Sequence, residues 1–182
     1  MTGRAWLRRA GHGRATDGSL VTWSVAEGSR GRRWREVRTF EPARAGEETT
    51  VVSSLLFELD PEGRFAHLEL STAAGLLTLH PESDGTLHGN AVTAAGIEHV
   101  AGLPWAPDDV VLVDGSVVTA VASRQGAGRP AAGALIIALD LSLSRAEHVP
   151  SAGPAAADAA GLPLLVDGAT WPLEREVVDA SG

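Results

Sequence analysis

Residues 75–90, GLLTLHPESDGTLHGN, hold two Leu-His dipeptides on either side of a Pro-Glu-Ser-Asp-Gly turn, with Gly89 and Asn90 just beyond. An imidazole changes charge near neutral pH and can donate, accept or pass a proton, so His80 and His88 beside the Asn90 amide suit proton transfer or the holding of a polar ligand group. Whether they act together depends on the register of the hairpin. If Pro81 to Gly85 form the loop, His80 pairs with Thr86 and Thr78 with His88, and both histidines share a face at a diagonal spacing of roughly 7 Å. If Asp84-Gly85 is a two-residue turn, Ser83 pairs with Thr86 and the histidines fall on opposite faces. Pro81 has no N–H to give to a ladder and favours the longer loop. In that register Thr78, His80, His88 and Asn90 lie opposite Leu77, Leu79 and Leu87. The polar side is then either the solvated side of a hairpin or the lining of a cavity inside a curved sheet.

His67 and Glu69 share a face of the preceding strand, and His99 follows in the same meander. Glu69, His88 and His99 are therefore the candidates for moving a proton. No HExxH or His-x-His spacing occurs, and no metal site is expected. There is also no Gly-x-Ser-x-Gly elbow, no phosphate-cradling P-loop and no GxGxxG after a strand, so no cofactor is expected. VDGS at 113–116 reads as a hairpin turn rather than as an activated serine.

In GRRWREVRTF, 31–40, strand alternation puts Trp34, Glu36, Arg38 and Phe40 on one face and Arg33, Arg35, Val37 and Thr39 on the other. Arg35 or Arg38 could grip a carboxylate or phosphate through two parallel N–H bonds, and a cross-strand pair with Glu58 or Glu69 is the commoner fate of such a side chain. Five Trp, three Phe and no Tyr make up the aromatic set. Trp105 in GLPWAPDD and Trp171 in GATWPLE stand next to proline, where an indole either rims an apolar pocket or plugs the end of a barrel. Trp34, Arg35, His80, His88, Asn90 and Trp105 are the candidate ligand contacts.

The elements that would position these residues are short runs rich in Val, Leu, Thr and Trp between Gly, Pro, Asp and Ser. Strands are expected over 20–25, 33–40, 50–59, 64–70, 75–80 and 86–92. More follow over 97–100, 110–114, 116–122, 133–143, 162–166 and 171–178. Turns at DPEGR and ESDGT carry the residues that tolerate positive φ. SSLLFEL puts apolar residues on both faces of one strand, so something covers the sheet there. The one helical candidate is PAAADAAG, 154–161, while SRQGAGRPAAG, 123–133, reads as a loop.

At 182 residues the chain fits one domain, 1–182, able to bury roughly 70% of its unfolded surface. A formal net charge of −8 repels polyanions and argues against nucleic acid, although Arg30, Arg32, Arg33, Arg35 and Arg38 make a local basic stretch. The absence of cysteine removes disulfides and thiolate chemistry. Neither a secretion-type apolar run at the start nor a membrane-length one elsewhere is present, so a cytoplasmic protein is expected.

In order along the chain, RRWREV, HLELSTAAGLLTLHPESDGTLHGN, GIEHVAGLPW and LPLLVDGATWPLE resemble the bacterial glycolipid-binding protein family, a family of unknown function. The resemblance implies a curved antiparallel sheet similar to the lipoprotein carriers of the bacterial envelope, and it carries over no catalytic residue.

The expectation is a mainly β single domain with little helix, its curved antiparallel sheet forming a half-barrel or barrel around an apolar cavity. That cavity would take a lipid, glycolipid or similar apolar or amphipathic small molecule, with no nucleic acid and no integral membrane insertion, and with room for a homodimer. Two rivals stand beside it. One is a cofactor-independent cyclase or isomerase that folds a polyketide-like or terpenoid-like substrate in the same cavity, with His88, Glu69 or His99 moving the proton. The other is an interaction module built on a sheet edge, which predicts no closed cavity and no buried histidine pair.

Overall fold

The computed structural model describes residues 7–42, 44, 46, 48–125, 131–147, 156–157 and 163–172. Eight strands follow one another in a meander: β1 (Arg8–Arg14), β2 (Leu20–Gly28), β3 (Gly31–Phe40), β4 (Thr50–Leu59), β5 (Phe65–Thr72), β6 (Gly75–Pro81), β7 (Thr86–Thr93) and β8 (Gly96–Pro104). Then come β9 (Val110–Val113), α1 (Val117–Gln125), β10 (Ala134–Ile137), β11 (Leu143–Ala146), β12 (Ala156–Ala157), β13 (Pro163–Leu164) and β14 (Val166–Pro172). The last strand returns to pair with β1, giving a nine-stranded antiparallel sheet in the order β14-β1-β2-β3-β4-β5-β6-β7-β8. The sheet is curved and open, with β14 and β8 as its edges, so the half-barrel rather than the closed barrel is the form adopted.

Period-two alternation decides which face is buried. Val21, Trp23 and Val25 of β2 point inward with Trp34 of β3, Leu55, Phe57 and Leu59 of β4, Leu68 and Leu70 of β5, and Leu77 and Leu79 of β6. A cover packs on that face. It consists of α1 and a three-stranded sheet in the order β11-β10-β9, in which β9 and β10 are parallel and α1 is the crossover between them. Val111, Val113, Val117, Val118, Val121, Leu135 and Ile137 of the cover join the inward residues of the large sheet in one core cluster.

Several expectations need correction. The segment 116–122 is helical because Gly115, at φ +69°, turns the chain away from a hairpin, and Ser116 Oγ then caps the helix by accepting from the Thr119 N–H at 3.1 Å. Residues 117, 118, 121 and 122 form one buried helical face. VDGS therefore starts a helix instead of closing a hairpin. The expected strand 133–143 is two strands, β10 and β11, joined by a turn in which the Ala138 N–H donates to the Ser142 carbonyl at 3.0 Å. Within 154–161, Ala156–Ala157 is a short strand paired with β13, and the rest lies outside the described residues. β1, whose sequence RRAGHGR lacks strand-forming side chains, was not expected; pairing on both sides holds it extended.

Candidate functional site

The β6–β7 hairpin adopts neither of the two anticipated registers. His80 stands directly opposite His88, Glu82 N–H donates to the Thr86 carbonyl at 2.8 Å, and the turn is Ser83-Asp84-Gly85 with Gly85 at φ +79°. Both histidines still share a face with Thr78 and Asn90, and it is the outer face of the sheet, away from the core. His80 is exposed and His88 half-buried. Each ring bonds a neighbour on its own side of the turn: His80 Nε2 lies 3.0 Å from Glu82 Oε1, and His88 Nε2 lies 3.1 Å from Thr86 Oγ1. Across the next pair of strands, His99 Nδ1 donates to Asn90 Oδ1 at 2.6 Å. Glu69, also exposed and outward, receives His67 Nε2 at 3.1 Å. Arg35 is exposed on the same side, opposite Ser24 and Leu56.

Trp34 and Trp105 lie on the other side of the sheet. Trp34 is fully buried, with its ring centroid 5.9 Å from that of Trp23. Trp105 meets Phe65 edge-on at 5.5 Å and is overlaid by the Arg145 guanidinium, which also pairs with Asp109 at 2.8 Å and donates to the Pro104 carbonyl. The eight candidate site residues are thus divided by the sheet. Arg35, Glu69, His80, His88, Asn90 and His99 face outward, Trp34 and Trp105 face inward, and no single cavity gathers them. Trp171 is the penultimate residue of β14, opposite Ala10. The cross-strand pair foreseen for Arg35 is made by Arg33, with Glu58.

The inner face holds a polar cluster that a reading of the histidines overlooks. β3 alternates Trp34, Glu36 and Arg38 inward, and all three are buried. Arg38 is 3% exposed; its guanidinium pairs with Asp17 of the β1–β2 turn, reaches Ser19 Oγ at 3.4 Å and donates to the Asp114 carbonyl at 3.3 Å. It lies flat on the β9–α1 turn, where a Cβ at Gly115 would fall 2.2 Å from Nη1. Partial burial works to raise the Asp17 carboxyl, and hydrogen bonds from Ser19 together with the Arg38 charge outweigh it and hold Asp17 below its ordinary value.

Glu36 is 2% exposed and meets the first turn of α1. Its Oε2 accepts from the Val118 N–H at 2.8 Å and from Ser116 Oγ at 3.2 Å. The helix has no acidic residue in its own first turn, and a carboxyl oxygen from β3 supplies an acceptor to its otherwise unpaired N–H groups. Burial pushes the Glu36 carboxyl up to about 7, against the opposing pull of the Val118 N–H, Ser116 Oγ, Arg38 and the Val117 N–H. Among the described residues, two buried side-chain atoms of this interior have no hydrogen-bond partner, Glu36 Oε1 and Trp34 Nε1. The sequence signal for the cluster is the shared strand face of Trp34, Glu36 and Arg38; neither the burial of that face nor the element that meets it is legible there.

A cleft of about 40 Å³ enters between the cover and the β4–β5 end of the sheet, lined by Phe57, Leu59, Phe65, Val111 and Ala122, with Arg64 among its polar lining residues. That volume holds one or two water molecules, well below the ~300 Å³ of a typical small-molecule pocket. Among the described residues no three His, Cys, Asp or Glu side chains are grouped to hold a metal ion, and no helix is long and apolar enough to cross a membrane. No family model, curated protein or solved structure matches the chain.

Proposed function

We propose that the protein binds an apolar or amphipathic small molecule, such as a lipid or glycolipid, between the inner face of the nine-stranded sheet and its cover. The observation that carries this reading is the way the apolar face is shut. An open sheet leaves its inner face to be covered by a separate unit, and the cleft beside Phe57 and Phe65 is the place where the two layers part. The cleft is too small for a lipid as it stands, so a guest enters by displacing α1 from the sheet. The unpartnered Trp34 Nε1 and Glu36 Oε1 lie in the same interior and offer such a guest a donor and an acceptor. The likeness of RRWREV and the hairpin segment to bacterial glycolipid-binding proteins is part of this proposal. Native mass spectrometry compared with the denatured mass, followed by titration with a single-chain lipid monitored through tryptophan emission, tests it. A retained or added lipid that shifts both signals is the expected result. An empty protein whose emission does not respond to lipid overturns the proposal.

A second reading has one observation in its favour. A buried carboxyl that titrates near neutrality suits a general acid or base, so a cyclase or isomerase acting in this interior would use Glu36. His88, His99 and Glu69, the proton carriers expected from the sequence, face the other way. Under this reading Glu36→Gln abolishes turnover, whereas His88→Ala leaves it intact.

A further inference from the structure

We propose that Glu36 is a proton-operated latch between the sheet and its cover: with the proton on, α1 is seated; with the proton off, α1 lifts while the sheet stays folded. The geometry singles out this residue. Glu36 bonds the start of α1 through the Val118 N–H and the capping Ser116 Oγ, which converge on one oxygen, while the Val117 N–H adds a weaker pull toward the ionised form. The other oxygen has no partner. A neutral carboxyl leaves little charge on that orphan atom, whereas a carboxylate spreads its charge over both oxygens and strands half of it where neither water nor a donor reaches. Lifting α1 by its first turn returns the carboxylate to water.

The surroundings leave the titration to Glu36. On β3 the nearest charge is Arg38, which favours the ionised form but is engaged by Asp17 of the β1–β2 turn and by the Asp114 carbonyl of the β9–α1 turn. The Asp114 side chain is exposed. The residues directly opposite Glu36, Trp23 on β2 and Leu55 on β4, carry no charge, and neither do Val117 and Val118 on α1. Burial therefore dominates and raises the carboxyl to about 7 in the seated state. In a lifted state it returns toward its ordinary 4.5. The seated form then binds the proton more tightly, and raising the pH through this window favours lifting, on the order of a hundredfold between pH 5 and pH 8. The latch stands on the contacts between β3 and α1 and does not require a ligand.

Amide hydrogen exchange on the intact chain tests it, with protection factors corrected for the intrinsic pH dependence of exchange and Glu36 followed by its side-chain carbon resonance. The expected result has three parts. The α1 amides are less protected than those of β5 and β6 at pH 8, their protection falls about a hundredfold from pH 5 to pH 8, and the opening constant of α1 reaches half of its high-pH limit at the midpoint of the Glu36 titration. In Glu36→Gln, which keeps the neutral shape, the α1 profile is flat with pH. Equal protection in α1 and the sheet core at every pH overturns the latch, because the cover then opens only by global unfolding. An opening constant that levels off at a pH away from the Glu36 midpoint also overturns it, and that comparison needs only the wild-type chain.

Discussion

Glu36 concentrates the electrostatics of this protein in one side chain. Its folded carboxyl is raised to about 7 from an ordinary 4.5, so between those values the folded chain holds more protons than the unfolded one. The contribution of Glu36 to stability is accordingly full below about pH 4.5, is lost as pH rises to about 7 and is level above that. A shift of this size corresponds to about 3 kcal/mol as an order of magnitude. Urea unfolding at pH 5, 6, 7 and 8 should show that decline in the wild type and lose it in Glu36→Gln. Asp17 works in a separate window: its folded carboxyl is depressed, so its contribution holds above its ordinary 3.8 and is lost as pH falls through the lower folded value. The histidines contrast with both. His80 and His88 lie on the outer face, each tied to a side chain two residues away, and His88→Ala should change stability by no more than about 0.5 kcal/mol by the same measurement.

At the scale of elements, the β9–α1 turn decides how the cover meets the sheet. Gly115 has φ +69°, a conformation costly for any residue with a Cβ, and the space a Cβ would need is filled by the Arg38 guanidinium. Gly115→Ala is expected to lower stability by about 1–3 kcal/mol, read as a fall in melting temperature, and to loosen α1 before the meander. The helix is hard to read from the sequence because Val117, Val118, Thr119 and Val121 are β-formers. What opposes that propensity was visible as Ser116 three residues before Thr119 and as apolar positions at a spacing of four, a pattern weaker than the valines in isolation. The strands of the meander were legible for the converse reason. In β4 and β6, alternation, β-forming residues and Gly- or Asp-bearing turns all agree.

On the scale of the molecule, the sheet and the cover share one core. Leu79 of β6 and Leu135 of β10, each essentially buried, belong to the same cluster of packed side chains. Leu79→Ala and Leu135→Ala should therefore each cost about 2–5 kcal/mol. Both should lower the midpoint of one denaturation curve on which tryptophan emission and far-UV dichroism coincide; two separated transitions would show instead that the layers unfold as independent units. The seating of α1 fits within this behaviour, since a segment can open locally at a lower free energy than the whole.

The sequence by itself determined the antiparallel meander and the grouping of Leu77 with Leu79 on one side of β6, because a period of two and local turn chemistry act over a few residues, whereas the pairing of His80 with His88 came from the structure. Only the tertiary structure decided which face is covered, since alternation defines two sides without naming the buried one. It also decided that β14 returns to β1 and that the sheet stays open. Above all it brought Glu36 to the first turn of a helix some eighty positions further along the chain. The raised carboxyl arises from that long-range encounter, in which burial by the cover removes water from a group whose strand neighbours alone would leave it solvated.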